Sequence, residues 1–324
     1  MSRSAYRQLV DVIASAALMI ILVIGAAVFC DADDGLPVCR SVEDAGAELR
    51  TAMKERAETF DLCLVTDTPA SDSGRLISEI FEEALKHTGD PCEGDYLKFQ
   101  YGSCDASAKP DNAGNEDAIR ITYSLSYYDT AEQELETGKK SSEILESLDL
   151  EDKTDPEKIR AIYDYICENV EYDYDNLEDE DYSLKRTAYA ALVDGKAVCQ
   201  GYSAAVYRLL LEAGIDNRII YGTCVTASGG NEEHTWNIVK LGDDYFNLDV
   251  TRDDELGNDD CFLKGGDVFN EDHFRSEEYN SEDFTSAYSI SDSGYGEKGH
   301  GLFDHLSAFS ISIRTLFRRL LSSV

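Results

Sequence analysis

Cys199 follows Asp194-Gly195-Lys196-Ala197-Val198 and opens a run in which Val206, Leu209, Leu210 and Ala213 recur at helical spacing before Gly214. That pattern predicts a helix that begins at the cysteine and stops at the glycine. A thiol at a helix N-terminus lies beside unpaired backbone N–H groups and the positive end of the dipole, which favour the thiolate, the form that attacks carbonyls. Cysteine is also a common small apolar filler, so the position acquires chemical meaning only with partners.

Partners are present downstream. The runs His234–Lys240 and Tyr245–Val250, joined through Leu241-Gly242-Asp243-Asp244, read as a β-hairpin. With a two-residue loop (241 and 242) or a four-residue loop (241 to 244), the paired residue numbers sum to an odd value. His234, Trp236 and Ile238 then share a face with Tyr245, Asn247 and Asp249, and His234 is opposite or diagonal to Asp249. A one-residue slip would part them and turn Phe246, Leu248 and Val250 away from the core. A thiolate, an imidazole and a carboxylate that fixes the imidazole's tautomer are what nucleophilic thiol catalysis requires. Glu232 and Glu233 beside the histidine favour its protonated form. The backbone N–H of Cys199 is the natural first oxyanion donor, with Gln200, Tyr202, Trp236 and the stretch Tyr182 to Tyr189 as side-chain candidates. Cys167 falls inside a helical pattern, and Cys224 and Cys261 within strands, so none gains from a helix end. His273, after the next strand, is placed as a supporting residue.

The motifs Gly195-Lys196-Ala197-Val198-Cys199-Gln200-Gly201-Tyr202, His234-Thr235-Trp236-Asn237 and the strand-ending Asp249 together resemble the transglutaminase-like cysteine hydrolase superfamily. The flanking stretches Tyr163–Asp173, Cys261–Leu263 and Asp272-His273 are similar to segments of its bacterial members. The resemblance covers about 155 to 275. Its usual alanine between His and Trp is Thr235 here. It implies an α+β, papain-like transglutaminase core in which the nucleophile helix packs on an antiparallel sheet. It also implies a Cys199-His234-Asp249 triad that needs no cofactor and acts on amide or peptide carbonyls. Peptidase or amidase activity is favoured over cross-linking, because water requires no acceptor site. The competing reading is a non-enzymatic extracellular peptide-binding module on the same fold; a purely structural envelope protein is a third.

The remaining residues bound these readings. The chain has 324 residues, 29 basic and 65 acidic, for a net charge of -36. Such a field argues against nucleic acid and is easier to reconcile with a cationic peptide or protein substrate, such as one derived from a cell wall. Arg3 and Arg7 precede an uncharged apolar run from Val12 to Phe29, about 18 residues and near the lower limit for a span. The expectation is a membrane anchor or signal segment over 1–30 with the rest outside the cytoplasm, membrane-attached or secreted. Nine cysteines suit a compartment that permits disulfides, and Cys92 with Cys104 could close a loop around a strand at Tyr96–Tyr101. No Cys/His spacing of the metal-binding kind occurs, so no metal is expected.

Apolar periodicity predicts helices over 42–56, 75–87, 131–148 and from Asp155-Pro156 onward, and strands over 119–127 and 218–225. Gly102 to Glu116 reads as loop, and the acidic run Tyr172–Asp181 as a solvated loop at a cleft rim. The expected organisation is a small α+β module over 31–150, a catalytic domain over 151–275, an acidic linker over 276–300 and an amphipathic C-terminal helix over 301–324. In that last segment Leu302, Leu306, Phe309, Ile313, Leu316 and Leu320 repeat among Arg314, Arg318 and Arg319.

Overall fold

The computed structural model of the chain describes residues 35–113, 116–226 and 229–296. The apolar run 12–29 and the amphipathic pattern 301–324 lie outside the described residues. No helix among the described residues is long and apolar enough to cross a membrane. The described residues divide into two units, 35–52 with 59–84 and 104–124, and 53–58 with 85–103 and 125–296.

The first unit is built on a four-stranded sheet of order β1-β2-β4-β3. Its elements are β1 (Val38–Cys39), α1 (Val42–Lys54), β2 (Thr59–Val65), α2 (Gly74–Ala84), β3 (Tyr101–Ala113) and β4 (Glu116–Tyr127). The alternation in β4 buries Ile119, Ile121 and Tyr123, and Leu62 and Leu64 of the antiparallel β2 join them. The stretch read as a loop at 102–113 is the edge strand β3, and nearly all of it is at least partly exposed. It has no apolar alternation because it has no buried face.

In the second unit, the strand expected at Tyr96–Tyr101 begins as a one-turn helix, Asp95–Lys98. Asp95 is buried there and takes a two-pronged bond from Arg218, at 2.7 and 2.8 Å. Cys92 and Cys104 are free thiols, as are the six other cysteines among the described residues. The helices α3 (Ala131–Leu148) and α4 (Asp155–Asn169) follow. The cap of α4 is Thr154, one residue before the expected Asp155, in a reciprocal capping box with Glu157.

Next come β5 (Glu171–Tyr172), β6 (Lys196–Ala197), α5 (Cys199–Glu212), β7 (Asn217–Val225), β8 (Asn231–Leu241), β9 (Asp244–Leu248), α6 (Val250–Leu256) and β10 (His273–Arg275). The strands β10-β7-β8-β9 form one antiparallel sheet in that order. One face carries Ile219, Val239, Phe246 and Leu248 into a core shared with Ile162 and Ile166 of α4 and Leu209 of α5. The other face packs Ile220, Trp236, Ile238 and Tyr245 under Phe269 and Tyr279. Burial of both faces is why β8 is buried without alternation from His234 to Val239.

Three further expectations for this unit are corrected. The acidic loop after β5 is not simply solvated: Asp173 is buried, accepting from Asn176 and Lys196. The buried Lys185 ammonium donates to the carbonyls of Asn176, Leu177 and Asp179, winding the loop around one cation. The stretch 276–296 is not a linker, since Glu277–Asn280 and Glu282–Ala287 are helical turns and Tyr279 is buried with Phe284, Tyr288 and Ile290 against it. Cys261, expected in a strand, lies in a turn after α6.

Candidate active site

Cys199 is the first residue of α5, with Val198 in extended conformation at the cap. A residue two places on explains how tightly that start is held. A Cβ on Gly201 would lie 2.7 Å from the Ala197 methyl and 2.9 and 3.0 Å from the carbonyl oxygens of Thr187 and Lys185. Only a glycine lets the nucleophile turn close against this backbone.

The hairpin β8-β9 turns through Gly242-Asp243, with Leu241 paired to Asp244 and Ile238 to Asn247. Paired numbers therefore sum to 485, and His234 is diagonal to Asp249. Asp249 ends the strand and caps α6, its Oδ1 accepting from the Arg252 backbone N–H at 3.1 Å. The His234 Nε2 donates to Asp249 Oδ2 at 2.7 Å. That bond fixes the tautomer and leaves the other ring nitrogen for the thiol, which hydrogen-bonds the His234 side chain.

The charges follow from this geometry. Burial pushes the half-buried Cys199 thiol up, but the bond to His234, the charge of that ring and bonds from the Thr235 hydroxyl and backbone N–H outweigh it, so the thiol lies below its ordinary value. Burial pulls His234 down, while the Asp249 charge and hydrogen bond and the Cys199 contact raise it well above the usual imidazole range. Burial raises Asp249, and the charges and bonds of His234 and His273 bring it far below the usual carboxylate range. These are the directions of a thiolate-imidazolium pair backed by a carboxylate.

The sequence-nominated residues separate here. Cys199, His234 and Asp249 are brought together. The indole N–H of Trp236 is buried without a partner, and its ring stacks on His234 at 6.2 Å between centroids. The Gln200 side chain donates to the Phe99 carbonyl. Tyr202 is buried and its hydroxyl donates to Asp254 at 2.9 Å, which takes it out of the set of free donors. Cys167 and Cys261 are pushed up by burial, and Cys224 is pushed up to about 11.

Four contributors escaped the sequence reading. Thr235 bonds the thiol and accepts from Ser203 Oγ at 3.2 Å. Tyr172 comes beside the nucleophile because β5 pairs with β6, setting it opposite Ala197 two residues before the cysteine. Arg252 and Asp272, joined at 3.3 Å, stand behind the carboxylate. His234, Asp249 and His273 also bring potential ligand atoms within 4.8 Å of one another, a spatial group that no linear spacing announces. In the structure hydrogen bonds join the three.

Residues 142–250 match the family model described as the transglutaminase-like superfamily. The chain carries a transglutaminase-like domain. It is 26% identical over 238 residues to kyphoscoliosis peptidase of Mus musculus, covering 65% of this chain and 34% of that protein. To kyphoscoliosis peptidase of Homo sapiens it is 28% identical over 158 residues, covering 41% of this chain and 22% of that one. The chain thus aligns with about a third of the longer-matching curated relative. Among solved structures, a TGase crystal structure is similar at 14% identity and a TM-score of 0.33, covering 66% of this chain and 59% of that one. A candidate cysteine protease from Cytophaga hutchinsonii is similar at 15% identity and 0.30, covering 46% and 64%. The α+β core of the transglutaminase-like domain, with α5 against the sheet β10-β7-β8-β9, is the frame that carries the site.

Proposed function

We propose that the transglutaminase-like domain is a cysteine-dependent acyl-transfer enzyme acting on amide or peptide carbonyls. The observation that carries this is the Cys199 thiol set against the His234 ring, which itself bonds Asp249 at 2.7 Å. The Cys199 thiolate adds to the carbonyl carbon, and His234 gives its proton to the departing amine as the C–N bond breaks. The thioester is then resolved by water, whose proton passes to His234 as the thiolate leaves. Asp249 holds the ring and offsets its charge. The Cys199 backbone N–H and the unpartnered Trp236 indole N–H are the donors available to the oxyanion.

Hydrolysis is the favoured outcome over amine transfer, and the acidic surface favours cationic peptide substrates. The apolar run behind Arg3 and Arg7 supports action outside the cytoplasm. Incubating the full chain with amide and peptide substrates and reading products by mass spectrometry tests the reading. Acyl-enzyme is expected on the native chain and absent from Cys199→Ala and His234→Ala. Undiminished turnover by Cys199→Ala would end the proposal.

A further inference from the structure

Asp249 has a second histidine on it. The His273 Nε2 lies 3.1 Å from Asp249 Oδ2, the same oxygen that accepts from His234. On its far side, His273 Nδ1 meets Asp272 Oδ1 at 2.6 Å. Asp272 Oδ2 takes Arg252 Nη2 at 3.3 Å, and the Arg252 backbone N–H returns to Asp249 Oδ1 at 3.1 Å. The bonds therefore close a ring, Asp249–Arg252–Asp272–His273–Asp249, that holds both oxygens of the carboxylate, Oδ1 through the Arg252 N–H and Oδ2 beside His234. His273 is fully buried, its ring stacked on Phe269 at 3.9 Å and edge-on to Trp236 at 5.3 Å. The charged and titratable groups facing it are Asp249, Asp272 and, at 6.0 Å between rings, His234.

We infer that His273 is a positioning residue, which orients the Asp249 carboxylate toward His234 through the ring it closes with Asp272 and Arg252. A fully buried carboxylate requires donors to remain ionised, and one held by a single bond is free to rotate about its Cβ–Cγ axis. The aromatic cage of Phe269 and Trp236 fixes the plane of the His273 ring, and Asp272 fixes which nitrogen faces inward. Partners of this kind commonly account for about tenfold or more in the function of the residue they hold.

The inference rests on the Cys199–His234–Asp249 reading, and its test separates the two. The titration of His234 is followed by NMR of histidine-labelled full chain in the native form and in His273→Phe, His273→Gln and Asp272→Ala. His273→Phe keeps the stack on Phe269 and removes both ring nitrogens, while His273→Gln retains a donor. Asp272→Ala truncates a half-exposed side chain and so opens no buried cavity. In folded His273→Phe the His234 midpoint is expected to fall by about one pH unit, the equivalent of a tenfold loss. Asp272→Ala should give a smaller fall, and His273→Gln should restore most of it.

A His234 midpoint unchanged in both His273→Phe and Asp272→Ala, with only the melting temperature lowered, would make His273 a packing residue and overturn the inference. A rise would overturn it too, showing that His273 competes for the shared oxygen. Alkylation of Cys199 by iodoacetamide across pH, read by peptide mapping, tests the underlying assignment separately. An ordinary thiol profile in the native chain alongside the expected His234 shift would remove the catalytic reading and leave this inference standing.

Discussion

At the residue scale, the pairing of a lowered thiol with a raised imidazole sets the pH behaviour. Activity requires the thiolate, so it rises along an acid limb as the pair loses its first proton. It also requires the imidazolium, so it falls along an alkaline limb as His234 gives up its proton; both limbs belong to the coupled pair. Removing the Asp249 charge in Asp249→Asn should draw the alkaline limb of kcat/KM down toward the free imidazole value of about 6.5. An alkaline limb that stays in place would show that Asp249 does not set the His234 charge. Stability carries the same signs. The stabilisation from His234 is complete below its unfolded pKa and is lost as pH rises through its raised folded value. That from Asp249 is present above about 3.9 and is lost as pH falls toward its depressed one. Thr235, where the related family usually has alanine, contributes a hydroxyl bond to the thiol. Thr235→Val keeps the shape and deletes the donor. With about 1.5 kcal/mol for a bond to a charged group, Cys199 alkylation near pH 6 should slow roughly tenfold, and an unchanged rate would reduce Thr235 to packing.

At the element scale, the site is a matter of strand pairing, and one glycine shows how little room the pairing leaves. Gly222 of β7 lies between His234 of β8 and Arg275 of β10. A Cβ there would come within 2.1 Å of the Phe274 carbonyl oxygen. Gly222→Ala should force β10 outward, carrying His273 off Asp249, at a loss of about 3 kcal/mol in a denaturant titration. Stability within about 0.5 kcal/mol of the native chain would mean that β10 adjusts freely. The sequence announces the hairpin that brings His234 to Asp249, because side-chain period and turn residues fix register parity whichever loop forms. It also announces the helix that starts at Cys199. It hides the β5-β6 pairing that brings in Tyr172, since two two-residue strands leave no periodic trace. The edge strand β3 is hidden for the opposite reason, an absence of any buried face to pattern. The stretch 276–296 misleads because charge dominates its composition while spaced Tyr279, Phe284, Tyr288 and Ile290 do the anchoring. His273 is visible as a histidine near a strand, but its bond to Asp249 follows from β10 pairing with β7, not with its chain neighbours.

At the scale of the whole molecule, the excess of 65 acidic over 29 basic residues makes a field no single side chain sets. Its sign matches the surroundings of the nucleophile, where Glu232 and Glu255 both act on Tyr172, the neighbour of Cys199. A field of this kind raises the encounter rate of cationic substrates and leaves the chemical step untouched. The proposal of cationic substrates therefore predicts a specific kinetic pattern. For lysine-rich peptides, kcat/KM should fall as ionic strength rises from about 0.01 to 0.15 M and the screening length shortens from about 30 to about 8 Å, while kcat holds. Neutral peptides of the same length should show no fall, and acidic ones a rise. Glu232→Gln with Glu255→Gln should flatten part of the lysine-rich response, and because the Glu255 charge also reaches His234 the alkaline limb should move slightly down with it. If kcat/KM is independent of salt for all three peptide classes, the acidic surface serves solvation alone, and substrate choice must come from contacts within the cleft.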